Sequence, residues 1–384
     1  MGNVFDYLTW RGDVPFSADP FNEVDNLILA ELAYVDFKNV PDTGEPVPLK
    51  EACEDFFRNH PIKGASADPM MQKAGLMKRM VKDARFRNTR LVYYNNEAAE
   101  QGLQFAGVTF LLEDGTAYAA FRGTDSSFAS WRESLDLSYL PETEGQRRAV
   151  SYLNRLEALP GCKLRVGGHS KGGNYAVYGA AFCERSIQDR IVQVYSNDGP
   201  GFHDEVILSD GYRRILPKII NIIPDSSVIG RLLLNASIPR VVKADSVGLA
   251  QHNAFTWRVE RNRFERTGIS DMGMFLDKSV TEWTERLNDQ TRSSLIRSIF
   301  TLLDGTGMEN FRNLRGSKRK SAEALLSGLN ELPEKKRQEL FQSMLLLLRS
   351  GGQTAVSGMG TFLQNYMNEH GPRHGNNDDP GRAQ

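Results

Sequence analysis

One stretch of this chain restricts the fold more than any other, because residues 162–182 combine a strand pattern, a glycine-flanked turn and a helix pattern. An apolar run at 162–166 is followed by Gly-His-Ser-Lys-Gly at 168–172 and by small residues at 175–182. The turn between strand and helix would be sharp, and a Cβ at either flanking glycine would crowd it. Such a turn exposes Ser170 at the start of the helix. A helix N-terminus favours negative charge. The pattern predicts a nucleophile elbow. The alternative is an ordinary glycine-rich strand–helix turn.

The amino-acid composition restricts the classes of binding partner and the cellular compartment that we expect. Of 384 residues, 40% are hydrophobic and 25% charged, and the net charge is -1. These values are typical of a globular protein and give no electrostatic reason to expect nucleic-acid binding. The chain shows neither a signal-peptide pattern nor 18 consecutive apolar residues, so we expect a cytoplasmic protein without a transmembrane segment. Reduced thiols are expected for the three cysteines, Cys53, Cys162 and Cys183.

Strand and helix patterns alternate through the first two thirds of the chain. Strands are predicted at 103–112, 116–121, 163–167, 190–195 and 218–223. Helices are predicted at 18–36, 66–86, 128–138, 145–158 and 171–185. This alternation predicts an α/β fold with a mostly parallel sheet flanked by helices. In such sheets the functional groups gather at the carboxyl ends of the strands.

Two regions that are predicted to be helical each have two possible roles. The stretch at 66–86 is rich in methionine, which suits either a core-packing helix or an adaptable lid or substrate groove. Strand patterns stop after residue 268, which divides the chain into an α/β domain at 1–268, a helical extension at 269–368 and a disordered tail at 369–384. The extension carries an apolar stripe that favours a packing face over a membrane-surface helix.

Histidine is the usual base for a serine nucleophile, and the chain offers few candidates. The six histidines are His60, His169, His203, His252, His370 and His374. In hydrolases of this type the order along the chain is serine, acid, histidine. His169 lies inside the motif, where its side chain should point away from the nucleophile, and only His203 and His252 otherwise fit the order outside the tail. His252 is favoured because it lies on a loop beyond the last long strand.

Two aspartates compete for the role of the acid that orients this histidine. Asp198 follows the strand at 190–195, and Asp225 follows the strand at 218–223. A Gly-Pro-Gly sequence follows Asp198, so this residue could form a turn without a chemical role. Asp225 precedes a helix-like run and could be an N-cap. The residues themselves leave the choice open.

An oxyanion hole requires two backbone N–H groups directed at the developing negative charge. One is expected from Lys171, the residue after the nucleophile. The other is expected from Thr124, at the end of the strand at 116–121. The alternative role for Thr124 is to cap the following helix, which is compatible with the first.

Taken together, these motifs resemble the class 3 lipase branch of the α/β-hydrolases. The matching segments are residues 120–124, Trp131 with Asp136, 168–173, 197–201, 224–228 and 251–257. The resemblance implies that Asp225 is the catalytic acid and His252 the base. It is closest to an uncharacterised bacterial group of lipase-like hydrolases and covers about residues 1–265. Lys171 departs from the family, which has an apolar residue there; its side chain would face an anionic substrate or solvent.

The predicted function is that of a serine esterase acting on carboxylic esters, of lipid or acyl type, through an acyl-enzyme on Ser170. This chemistry requires no metal or organic cofactor. The expected partner is a small-molecule ester or lipid, without nucleic acid and with peripheral membrane contact left open. An acyltransferase or thioesterase with the same triad is the main alternative. A peptidase and a non-catalytic α/β-hydrolase scaffold are weaker alternatives.

Overall fold

The computed structural model describes residues 2–61, 69–98, 104–124, 136–159, 161–246, 248–271 and 273–274. The predicted helix at 128–138 lies largely outside these residues. The helical extension and the tail lie outside them as well, apart from residues 269–271 and 273–274.

An eight-stranded sheet forms the centre of the described region, and its strands lie side by side in sequence order. The strands are β1 (Val47–Pro48), β2 (Arg90–Ala98), β3 (Gln104–Leu111), β4 (Thr116–Phe121), β5 (Lys163–His169), β6 (Ile191–Asn197), β7 (Ile219–Pro224) and β8 (Arg240–Val242). Neighbours from β1 to β4 pair antiparallel, and neighbours from β4 to β8 pair parallel. A small hairpin, β9 (Val259–Glu260) and β10 (Arg263–Phe264), lies apart. The predicted α/β fold with a mostly parallel sheet is confirmed.

Helices connect and cover the strands. They are α1 (Val4–Arg11), α2 (Glu23–Leu32), α3 (Leu49–Asn59), α4 (Pro69–Met80), α5 (Glu144–Arg155), α6 (Lys171–Phe182), α7 (Arg185–Arg190), α8 (Asp204–Ile207) and α9 (Asp210–Ile215). Short 3-10 helices lie at Leu156–Ala158, Leu216–Lys218, Ile229–Arg231, Gly248–His252 and Ala254–Thr256. Among the described residues, no helix has the length and apolar character needed to cross a bilayer.

Hydrophobic cores cover both faces of the sheet. On one face α1 to α4 pack together, with Leu27 of α2 among the buried residues. On the other face α5, α6 and α9 pack together, with Leu153 and Tyr175 among the buried residues. Met77 and Met80 of α4 are completely buried in the first core. Their burial favours the core-packing interpretation of the methionine-rich helix over the lid.

The parallel half of the sheet determines where a site can form. Each crossover returns the chain to the same edge, with α5 between β4 and β5, α6 and α7 between β5 and β6, and α8 and α9 between β6 and β7. The carboxyl ends of β4 to β8 therefore meet at one edge of the sheet. The residues that follow them are the candidates for a functional site.

Candidate active site at the carboxyl edge of the sheet

Ser170 occupies a sharp turn between β5 and α6. Its backbone has φ 59° and ψ -134°, in the region with positive φ that non-glycine residues rarely adopt. Two glycines make the turn sterically feasible. A Cβ on Gly168 would lie 2.3 Å from the carbonyl carbon of Gly172, and a Cβ on Gly172 would lie 2.1 Å from the Phe121 carbonyl oxygen. The tight approach of β5, α6 and β4 thus requires glycine at both positions.

The end of β6 is bonded directly to this turn. The Ser170 N–H donates to the Asn197 carbonyl at 2.9 Å, which places the next residue, Asp198, beside the turn. Asp198 has φ 50°, and its side chain is buried. Its Oδ1 accepts from the Gly230 N–H at 3.1 Å and from the Ser227 hydroxyl. These donors stabilise an ionised carboxylate at a position where water does not reach it.

His252 contacts the other oxygen of this carboxylate. His252 Nδ1 lies 2.7 Å from Asp198 Oδ2. An ionised carboxylate only accepts hydrogen bonds, so Nδ1 carries the ring proton and, in the neutral ring, Nε2 keeps the basic lone pair. His252 ends a 3-10 helix and keeps 26% of its side chain exposed, whereas the Asp198 side chain is 1% exposed. A solvent-accessible imidazole is therefore oriented by a buried anion.

His169 connects this histidine to the turn. Its Nε2 lies 2.9 Å from the carbonyl oxygen of His252, and the two imidazole rings stack with centroids 4.7 Å apart. His252 thus packs against the residue adjacent to Ser170. Local sequence patterns do not indicate this contact, because it joins residues 83 positions apart.

Asp225 does not contact His252, contrary to the role that the resemblance implied. Its Oδ1 accepts from Gln251 Nε2 at 2.6 Å and from the Ser226 hydroxyl at 3.1 Å. Asp198, the alternative acid, is the carboxylate at His252, because β6 lies next to β5 and β7 lies one strand, about 4.8 Å, further away. Which of the two aspartates acts in catalysis stays a prediction.

The residues that follow β4 lie beside the turn at Ser170. A Cβ on Gly123 would lie 3.0 Å from Ser170 Cβ, so the backbone here touches the candidate nucleophile. Thr124 follows Gly123 and is partly buried. Lys171 begins α6, and its side chain is buried, with Nζ 5.6 Å from the centre of the Tyr175 ring. This burial argues against the solvent-facing alternative for Lys171, and the oxyanion-hole roles of the two N–H groups stay predictions.

The other two described histidines, His203 and His60, have partners elsewhere in the molecule. His203 Nε2 lies 2.9 Å from the Leu137 carbonyl oxygen. His60 stacks on Phe56 at the end of α3. His370 and His374 lie outside the described residues. Within the described parts of the chain, His, Cys, Asp and Glu side chains form no group suited to a metal ion.

Comparison with solved structures finds lipases at low similarity. The lipase from Rhizopus microsporus var. chinensis has 13% identity and a TM-score of 0.38, with 62% of this chain and 86% of that chain covered. The Lip2 lipase from Yarrowia lipolytica has 12% identity and a TM-score of 0.32, covering 62% and 94%. M37 lipase has 14% identity and a TM-score of 0.35, covering 54% and 68%. Scores this low carry no statement about activity. A search of curated proteins found no match.

A family model also matches the chain. The family model of Mbeg1-like proteins matches residues 80–301. This range includes the turn at Ser170, both aspartates and His252, and it spans more than half of the chain. The sequence-based recognition of an α/β-hydrolase of the class 3 lipase branch agrees with this match. The chain belongs to the Mbeg1-like family.

Proposed function

We propose that the protein is a serine hydrolase that cleaves carboxylic esters of lipid or acyl type through an acyl-enzyme on Ser170. One observation carries the proposal. A serine with positive φ lies between a strand and a helix, and the residue before it stacks on a histidine whose Nδ1 is 2.7 Å from a buried aspartate. Serine, histidine and carboxylate in this relation are the components of nucleophilic acyl transfer.

The proposed reaction assigns one task to each side chain. His252 Nε2 takes the proton from the Ser170 hydroxyl as Oγ attacks the ester carbonyl carbon. The tetrahedral oxyanion is held by the N–H groups of Lys171 and Thr124. His252 then gives the proton to the leaving alkoxide as the carbon–oxygen bond breaks, which releases the alcohol. Water, deprotonated by the same imidazole, releases the carboxylic acid and regenerates Ser170.

Asp198 is the acid in this scheme, in place of Asp225. Its contact with Nδ1 selects the tautomer that leaves Nε2 free to accept a proton, and its charge stabilises the imidazolium that forms. The Gly230 N–H and the Ser227 hydroxyl donate to the other oxygen of this buried carboxylate. Neither a metal ion nor an organic cofactor takes part in these steps.

The choice of carboxylic esters follows from the resemblance of residues 120–124 and 168–173 to class 3 lipases. An acyltransferase or a thioesterase would pass through the same acyl-enzyme. The three activities differ in what leaves and in what accepts the acyl group, so analysis of products with water, an alcohol or an acyl thioester distinguishes them.

The test is covalent labelling with a fluorophosphonate probe, which phosphonylates activated serines. We expect the folded wild type to label once, on the peptide that contains Ser170, and the Ser170→Ala variant to remain unlabelled. His252→Ala should slow labelling by about 10³-fold or more. Ser186→Ala, an exposed serine on α7, is the matched control and should label like the wild type. A folded wild type that does not label would exclude the proposal.

A further inference from the structure

A second carboxylate–imidazole pair lies beside His252, and the proposed reaction does not use it. His169, the last residue of β5, has its Nδ1 3.1 Å from Oε1 of Glu31 in α2. The two residues are 6% and 2% exposed. A carboxylate so deeply buried is costly unless it is paired, so its position next to an imidazole calls for an explanation.

The opposite edge of the His169 ring holds His252. The carbonyl oxygen of His252 only accepts hydrogen bonds, so His169 Nε2, 2.9 Å away, carries a proton and donates it. The two rings stack at 4.7 Å with an angle of 29° between their planes. Trp257 packs edge-on against His169 at 6.3 Å. His169 therefore contacts both the main chain and the ring of His252.

Other charged groups determine the state of this pair. Lys73 of α4 lies 2.8 Å from Glu31 Oε2 and 3.5 Å from the centre of the Tyr34 ring, and the Tyr34 hydroxyl lies 3.4 Å from His169 Nδ1. Burial alone would raise the pKa of Glu31, but Lys73 and His169 outweigh it and the pKa is lowered. Burial lowers the pKa of His169 to about 4, although Glu31 opposes the shift. Near neutral pH, Glu31 is thus ionised and pairs with Lys73, and His169 is neutral with its proton on Nε2, so its Nδ1 is an acceptor that faces the Tyr34 hydroxyl.

We propose that His169 is a positioning residue that fixes the loop and the ring of His252 against Asp198. This inference rests on the proposed hydrolase function, because it concerns the base in that reaction. His169 transfers no proton: its Nε2–H stays on the carbonyl of His252 while His252 Nε2 exchanges a proton with Ser170. His169 instead keeps the His252 ring in one orientation.

Such a support is needed because His252 has few constraints of its own. It lies on a short 3-10 helix, and about a quarter of its side chain is exposed. Without the stacked ring and the bond to its carbonyl, the imidazole would sample orientations in which Nδ1 leaves Asp198. A displacement of about 1 Å in a catalytic group is enough to cost about 100-fold in rate.

The first variant is His169→Phe, which keeps a flat ring for stacking and removes both nitrogens. The probe is the fluorophosphonate, and both the rate constant and the final extent of labelling are measured. We expect labelling about 10- to 100-fold slower than in the wild type, with the same final extent. A residue that only supports folding would reduce the final extent and leave the rate of the folded molecules unchanged.

A second variant of His169 separates the hydrogen bond from the stacked ring. In His169→Gln, the side-chain amide can donate to the carbonyl oxygen of His252, while the ring that stacks on His252 is lost. We expect labelling at least about 10-fold slower than in the wild type, because the plane of the His252 ring is no longer fixed. If His169→Phe does not fold, this variant decides the question, because a wild-type rate in folded His169→Gln would overturn the proposal.

A proton NMR signal gives an independent measure of the orientation of His252. The Nδ1–H bonded to Asp198 should appear far downfield in the folded wild type and disappear in His252→Ala. We expect it to be broadened or lost in His169→Phe while the rest of the spectrum stays native. Wild-type labelling rate and an intact signal in His169→Phe would overturn the positioning role alone. A folded wild type that fails to label would instead overturn the hydrolase function.

Discussion

The ends of β6 and β7 carry the same side chain one residue beyond the strand, yet the two carboxylates have different surroundings. Asp198 is completely buried, has positive φ and contacts the imidazole of His252. Asp225 is partly exposed and accepts from Gln251, the residue before His252. Asp198 therefore contacts the histidine directly, and Asp225 contacts the loop that carries the histidine.

Three structural features produce this difference. β6 pairs with β5, the strand that ends just before Ser170, whereas β7 does not. The positive φ of Asp198 places its carboxylate within reach of the donors at Ser227 and Gly230, in the loop that follows Asp225. The loop after β7 thus supplies the donors that hold the Asp198 carboxylate, while its own Asp225 bonds to Gln251. Motif position alone does not identify a catalytic acid.

The largest predicted effect comes from Asp198→Asn. An amide at this position can donate to Nδ1, which places the ring proton on Nε2 and removes the basic lone pair that Ser170 needs. We expect fluorophosphonate labelling to slow by about 10³- to 10⁴-fold with the fold intact. Loss of less than about tenfold would mean that another residue orients His252.

A smaller effect is expected from disturbing the support of Asp198. A Cβ on Gly230 would lie 2.5 Å from Asp198 Oδ1, so Gly230→Ala must displace the carboxylate or the loop. We expect labelling to slow by about 10- to 100-fold. Gly268→Ala is the matched control, because a Cβ there meets no atom within 4 Å, and it should label at the wild-type rate. Equal rates in the two variants would show that the Gly230 loop does not position the acid.

Asp225→Asn should have little effect, which sharpens the contrast with Asp198. The asparagine keeps an oxygen that accepts from Gln251 Nε2, so the loop stays in place. We expect labelling within about threefold of the wild type and a loss of unfolding free energy of about 1 kcal/mol, measured by urea denaturation. A 10³-fold loss of labelling would restore Asp225 as the catalytic acid, as the family resemblance implied.

The last predicted effect is on stability alone and concerns the His169 imidazole beside a third carboxylate, Glu31. The pKa of His169 is lowered to about 4 in the folded protein, from an ordinary value of 6.5. Between these values the unfolded chain binds a proton that the folded chain does not, so the stability is complete above pH 6.5 and decreases as the pH falls towards 4. In His169→Phe, the free energy of unfolding should therefore fall by less than in the wild type over this pH range, by on the order of 2 kcal/mol. Urea denaturation at pH 7 and pH 4.5 measures the free energy of unfolding of both proteins. The same loss between the two pH values in His169→Phe and in the wild type would contradict a buried neutral His169.

Much of the fold was predictable from local patterns. Apolar runs identified β3 to β7, because each is bounded by turn residues and buried along most of its length. β2 was missed because its second half, Asn95-Asn-Glu97, is polar and its pairing with β3 is interrupted by an irregularity. The two-residue β1 and the three-residue β8 are too short to give a periodic signal.

The candidate site was predictable only in part. Ser170 and His252 followed from the motif and from the order of residues along the chain. The choice between Asp198 and Asp225 depended on a backbone angle and on donors in another segment, which the sequence does not display. The contact between Glu31 and His169 joins residues 138 positions apart, and the local pattern at neither residue indicates it.

The central claim is that Ser170 carries the acyl group, and trapping the acyl-enzyme tests it most directly. The protein is mixed briefly with a p-nitrophenyl ester, quenched in acid, digested and analysed by mass spectrometry. We predict a rapid burst of p-nitrophenol and an acyl mass increment on the peptide containing Ser170, both absent in Ser170→Ala. Steady ester turnover that persists in Ser170→Ala, or an acyl group on any other residue, would contradict the account.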